Sequence, residues 1–178
     1  MKESGDREME AACYYNAGQC LMKEQAYDEA LEFWARAKLL FTRCNMTTEI
    51  IKVTWSIGLM QVAKGSVDEG LETLREVEDE FKDLLMARDE IQVCLDIIEV
   101  LLDHFGVSNE EAIDRARCVV TRAQAAQLSN ECAIALAHLR RDARDGVLDS
   151  EMVRHVKDFI SISALYPAAM FVPLRKHG

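Results

Sequence analysis

The chain of 178 residues is 49% hydrophobic and 29% charged, with a formal net charge of −10, which fits a folded globular protein and excludes global disorder. The acidity is uneven: residues 1–110 carry 11 Lys/Arg against 23 Asp/Glu, and residues 111–178 carry 10 against 8. Because DNA and anionic lipid are bound by neutralising phosphates, so acidic a chain is not expected to bind nucleic acid or a membrane.

Only Pro167 and Pro173 could interrupt a helix, and both lie near the end, so the chain is expected to be all-α. Apolar spacing predicts helices at Arg7–Lys23 and Tyr27–Arg43, then Thr48–Lys64 and Val67–Leu85, then Asp89–His104 and Glu110–Gln127. Ser129–Asp145 follows, ended by Gly146, and Asp149 can cap a last helix through about Ile160. Ser66 with Glu69 and Ser108 with Glu111 have the spacing of a capping box. Gly65 and Gly106 stand where a preceding helix needs a left-handed terminating residue.

These helices repeat. At a shift of forty residues, Gly18 recurs as Gly58, Ala30 as Gly70, Trp34 as Leu74 and Ala37 as Val77, and a further forty-two reach Ala112, Ala116 and Val119. Helix pairs of about 7–43, 48–85 and 89–127, closed by a cap over 129–160, make one expected domain of 7–160, with an apolar tail over 161–178. The first pair resembles a tetratricopeptide repeat in Tyr14, Ala17, Gly18 and Leu21, then Tyr27, Ala30, Trp34 and Ala37. The second keeps Ile57, Gly58, Gly65, Gly70 and Leu74, and the third chiefly Ala112 and Ala116. The resemblance implies a right-handed α-solenoid with a C-terminal capping helix. A narrower likeness, over Asp89 to Pro173, is to C-terminal repeat regions of bacterial regulatory proteins associated with transcription or sigma-factor control.

No catalytic or metal motif accompanies the repeat. The six cysteines, Cys13, Cys20, Cys44, Cys94, Cys118 and Cys132, form no CxxC pair, and the four histidines show no ligand spacing, so no metal or cofactor is expected. The cysteines are read as reduced core thiols, and Cys13 with Cys20 as one core stripe. A cysteine nucleophile is a distant alternative. The charges are read chiefly as solvated helix faces, with Arg140, Arg141 and Arg144 as a minor reading of a local basic site for an acidic partner. With no signal segment or apolar span, the expected location is the cytoplasm.

In a tetratricopeptide array the first helices of successive pairs line the concave surface. The resemblance places there Tyr15, Gln19 and Met22, then Lys52, Trp55, Leu59 and Val62, then Ile97 and Leu101. Such an apolar strip suits a protein or peptide partner better than a carboxylate clamp. The expectation is therefore a non-catalytic interaction module, or alternatively a regulatory subunit that masks a transcription or sigma factor. Residues 160–174, with Leu165, Tyr166, Met170 and Phe171, are expected to pack on the last helices or to enter a concave face, in the same chain or in a neighbouring copy as a homo-oligomer contact.

Overall fold

A computed structural model describes residues 2–125 and 130–165, and among these every regular element is helical. The helices are α1 (Lys2–Lys23), α2 (Tyr27–Arg43), α3 (Thr47–Ala63), α4 (Val67–Asp83), α5 (Ala87–Phe105), α6 (Glu110–Ala125), α7 (Asn130–Asp145) and α8 (Ser150–Leu165). The chain divides between Leu84 and Leu85 into two compact units. The proposed tail contacts at Tyr166, Met170 and Phe171, and the side chain of Leu165, lie outside the described residues.

In the first unit α1 packs on α2 and α3 on α4, while α3 also meets α2 and α1. Turn chemistry sets this rhythm. Gln25 and Asn45 take φ of 62° and 56°, and Gly65 takes 94°, each just past a helix end. The residue after each donates its amide five residues back: Ala26 to the Leu21 carbonyl, Met46 to Phe41 and Ser66 to Gln61. This is the Schellman closure, which satisfies carbonyls that a helix end would leave open. The same residues then start the next helix, their carbonyls accepting from Ala30, Ile50 and Gly70. One residue thus ends a helix and begins another, and helices start at Tyr27, Thr47, Val67 and Ala87, twenty residues apart.

Two expected caps are corrected. Ser66 makes no side-chain cap bond and sits at φ −82°, ψ 63°, because its amide is already tied to Gln61 and cannot adopt the extended geometry that aims a capping hydroxyl. At α6 the cap is Asn109 rather than Ser108, with the Ala112 amide donating to Asn109 Oδ1 at 2.9 Å. Asp149 does cap α8, accepting from the Met152 amide at 2.8 Å. Gly106 and Gly146 take φ of 89° and 72° at the ends of α5 and α7.

The repeat slots are where helices touch. Ala30, Trp34, Ala37 and Phe41 are buried on α2, Gly70, Leu74, Val77 and Phe81 on α4, and Ala112, Ala116, Val119 and Ala123 on α6. Gly18 exists for Trp34: a Cβ there would lie 2.9 Å from the indole Cε2 and closer still to Nε1 and Cδ1. The indole instead donates to the Tyr15 carbonyl at 3.2 Å. Tyr14 on α1 stacks at a tilt on Phe33 of α2, 5.8 Å between centroids, with Arg36 5.7 Å from the Tyr14 ring.

In the second unit α5 packs on α6 and α8, and α7 also packs on α6 and α8. Successive helices therefore pack on one another, and α8 also returns to α5. Leu95, Ile98, Leu136, Leu139, Leu148 and Ile160 are among its fully buried side chains. The cysteine reading holds for Cys94 and Cys132, which are buried, but Cys13, Cys20 and Cys118 are exposed and Cys44 is half-buried. The supposed core stripe of Cys13 and Cys20 is therefore an outer face.

The glycines should respond to alanine in a definite order. Replacing glycine in a helix normally stabilises by about 1 kcal/mol. At Gly70, however, a Cβ would lie 2.8 Å from the Gly58 carbonyl oxygen and 2.9 Å from the Val62 amide, and backbone cannot step aside. Gly18→Ala and Gly70→Ala should each cost about 1–3 kcal/mol, while Gly58→Ala, 3.2 Å from the flexible Leu74 side chain, should stay within about 1 kcal/mol of wild type. Urea melts that rank Gly58→Ala as the most damaging would contradict this packing.

Candidate functional site

The residues expected on a binding face divide by unit. Tyr15, Gln19 and Met22 on α1, and Lys52, Trp55, Leu59 and Val62 on α3, are all half-buried. Ile97 and Leu101 on α5 are 0% and 3% exposed; that expectation is corrected, because α5 is flanked by α6 and α8 and has little face left open.

A serine that the sequence reading passed over joins the first-unit residues. Ser56 is 6% exposed and lies between α1 and α3. Its hydroxyl donates to the Lys52 carbonyl at 3.2 Å. Having one proton, the oxygen then accepts from Gln19 Nε2 at 2.6 Å and from the Tyr15 hydroxyl at 3.2 Å. Tyr15 and Gln19 are thereby fixed rather than free to reach a ligand. The signal for Ser56 was a lone hydroxyl inside the apolar run WSIGLM.

Around this node the other side chains are held from behind. Trp55 meets Phe81 edge-on, 5.8 Å between centroids at 75°, and Met22 packs against the cluster of Ala11, Ala30, Trp34, Ala37, Phe41, Val53 and Met60. Lys52 pairs with Glu49 at 3.3 Å one turn earlier. The face is a patch of thioether, indole and isobutyl surface around satisfied polar groups. Such a patch can exclude water from a partner side chain.

The densest group of charges lies in the second unit, where α8 returns along α5. Lys157 bridges Asp96 and Glu99, Arg154 reaches Glu99 at 2.7 Å and Asp103 at 2.9 Å, and Gln92 Nε2 donates to Ser161 Oγ at 3.2 Å. Burial pushes the Lys157 ammonium down, but the Asp96 charge and hydrogen bonds to Asp96 and Glu99 outweigh it, so its pKa is raised. Burial pushes the Asp103 carboxyl up, but hydrogen bonds from Ser150 and Arg154 and the Arg154 charge leave it lowered. Each acid faces a base and each shift favours the charged form, the mark of a structural seam rather than of a poised acid or base. Among the described residues no group of three His, Cys, Asp or Glu could hold a metal ion, and no helix is long and apolar enough to cross a membrane. Arg140, Arg141 and Arg144 are exposed on α7, with Arg141 3.6 Å from Asp142.

Comparison with known proteins gives no match, whether with protein-family models, with curated proteins or with solved structures.

The seam gives a prediction with a pH signature. Lys157→Met removes the cation from Asp96, which is 4% exposed, and should cost about 3 kcal/mol near neutrality. Because the folded pKa of Lys157 is raised, its contribution is complete below the ordinary lysine value of 10.5 and is lost as pH rises through the folded value. The gap in melting temperature between wild type and Lys157→Met should therefore be flat near neutrality and close in strong alkali. The Asp103 contribution runs the other way, present above the ordinary carboxylate range and lost as pH falls through its lowered value.

Proposed function

We propose that the first unit is a pair of tetratricopeptide-like hairpins that binds a segment of another protein along the face shared by α1 and α3. The observation that supports this most directly is that Met22, Trp55, Leu59 and Val62 stay half-exposed beside a polar node with its hydrogen bonds already made. Apolar side chains set in a fixed frame bind with little further loss of side-chain freedom. Trp55 is the natural anchor, because an indole buries a large area at low rotamer cost. Lys52, half-exposed at the edge, adds a preference for a partner with an acidic group there. The bound segment is an extended peptide or one face of an amphipathic helix, and control of another protein by masking is the same chemistry with a single dedicated partner.

The test uses the intact chain as bait in extracts of its source cells. Trp55→Ala and Leu59→Asp should lose a partner that wild type retains, and titration of the recovered partner should show Trp55→Ala about 30-fold weaker, as for an anchor worth about 2 kcal/mol. Melting curves confirm that each variant is folded. Equal retention by wild type and both variants sinks this reading.

A further inference from the structure

Helix α1 has three faces. At about 100° per residue, Tyr14, Gly18 and Leu21 point one way, and Gly18 and Tyr14 meet Trp34 and Phe33 of α2. Tyr15, Gln19 and Met22 lie further round, where Tyr15 and Gln19 meet Ser56 of α3. The remaining face holds Asp6, Met9, Cys13, Asn16, Cys20 and Lys23, all of them exposed, Met9 by 68%. From Ala11 to Met22 the helix carries no charge at all, and on its solvent side Met9, Cys13 and Cys20 are interrupted only by Asn16. Helices of that kind are ordinarily covered.

The exposed six are spaced three, four, three, four and three residues apart, which is the seam of a two-stranded coiled coil and differs from the broader stripe of a helix laid on a globular core. We propose that this face pairs with the same face of a second copy of the chain, the two α1 helices running antiparallel about a two-fold axis midway between Cys13 and Asn16. Three layers then form, each present twice: Asp6 with Lys23, Met9 with Cys20, and Cys13 with Asn16. Every layer joins the two alternating seam positions, as antiparallel pairing requires. The ends carry opposite charges into contact. Parallel pairing would set Asp6 against Asp6 and Lys23 against Lys23, so the charges choose the direction. Ala12 and Ala17 flank the seam and allow close approach. The seam from Asp6 to Lys23 is about 26 Å long, short enough that the dimer forms and dissociates with concentration. This face is separate from the α1/α3 face, so the dimer can hold two partner segments at once.

The geometry separates two cysteines. Across the two-fold, Cys13 lies about 4.5 Å along the axis from its copy, and Cys20 about 16 Å from its own. The test uses the full chain with Cys44→Ser and Cys118→Ser to silence the other accessible thiols. Sedimentation should show a monomer–dimer equilibrium, and a short bismaleimide should yield covalent dimer when Cys20→Ser is added but not when Cys13→Ser is added. Asp6→Lys should weaken the dimer about 5- to 20-fold, from two opposed pairs of like charge, and Asp6→Lys with Lys23→Asp should restore it. A monomer at the highest soluble concentration overturns the proposal, whatever else binds α1. So does cross-linking through Cys20 as readily as through Cys13, or a double charge exchange that fails to restore the dimer.

Discussion

The indole of Trp34 occupies the space where Gly18 has no side chain, and the first unit depends on that contact. With the ring against the α1 backbone and its nitrogen bonded to the Tyr15 carbonyl, α2 is held to α1 at a fixed height and rotation. That rotation carries Ala30, Ala37 and Phe41 into the core on one side of α2. It also turns Tyr15 and Gln19 of α1 toward Ser56 of α3. The second hairpin answers the same constraint differently: Gly58 faces Leu74, and Gly70 takes the place of Ala30 so that α4 can lie against the Gly58 carbonyl and the Val62 amide. Bulk lost from one slot is made up by closer backbone approach, which is why the two pairs share a period without sharing residues.

Close packing of successive hairpins leaves α1 and α3 with a face that neither α2 nor α4 covers. The polar node on that face is closed on itself, and the apolar groups beside it are pinned by Phe81 and by the core. That face therefore presents half-buried apolar side chains beside polar groups whose hydrogen bonds are already made.

In the second unit a charged seam joins α5 and α8. Helix α8 returns to α5 through Asp96, Glu99 and Asp103 facing Lys157 and Arg154, while Val153, Val156 and Ile160 are buried from the same helix. A buried carboxylate tolerates only the register that brings it a cation, so the seam selects one docking position of α8 among those the apolar residues alone would accept.

The sequence by itself determined the helices, their turns and the slots at which they pack. Gly65, Gly106 and Gly146 mark helix ends because only local backbone sterics decide where a positive φ is tolerated, and Ala30, Trp34 and Ala37 are legible because a helical face is written every three or four residues. Gln25, Asn45 and Leu85 also take positive φ, and there the residue type gave no such signal: Leu85, expected as the end of a helix, lies past the end of α4 at Asp83. Tertiary structure alone decided what lies opposite each face. It buried Ile97 and Leu101, exposed Cys13 and Cys20, and drew Ser56 to partners 37 and 41 residues away. The reason is physical: a periodic pattern fixes which residues share a side of a helix, whereas the neighbour of that side is chosen by contacts across tens of residues, such as those of α8 with α5 at separations of 51 to 72, which leave no trace in local spacing.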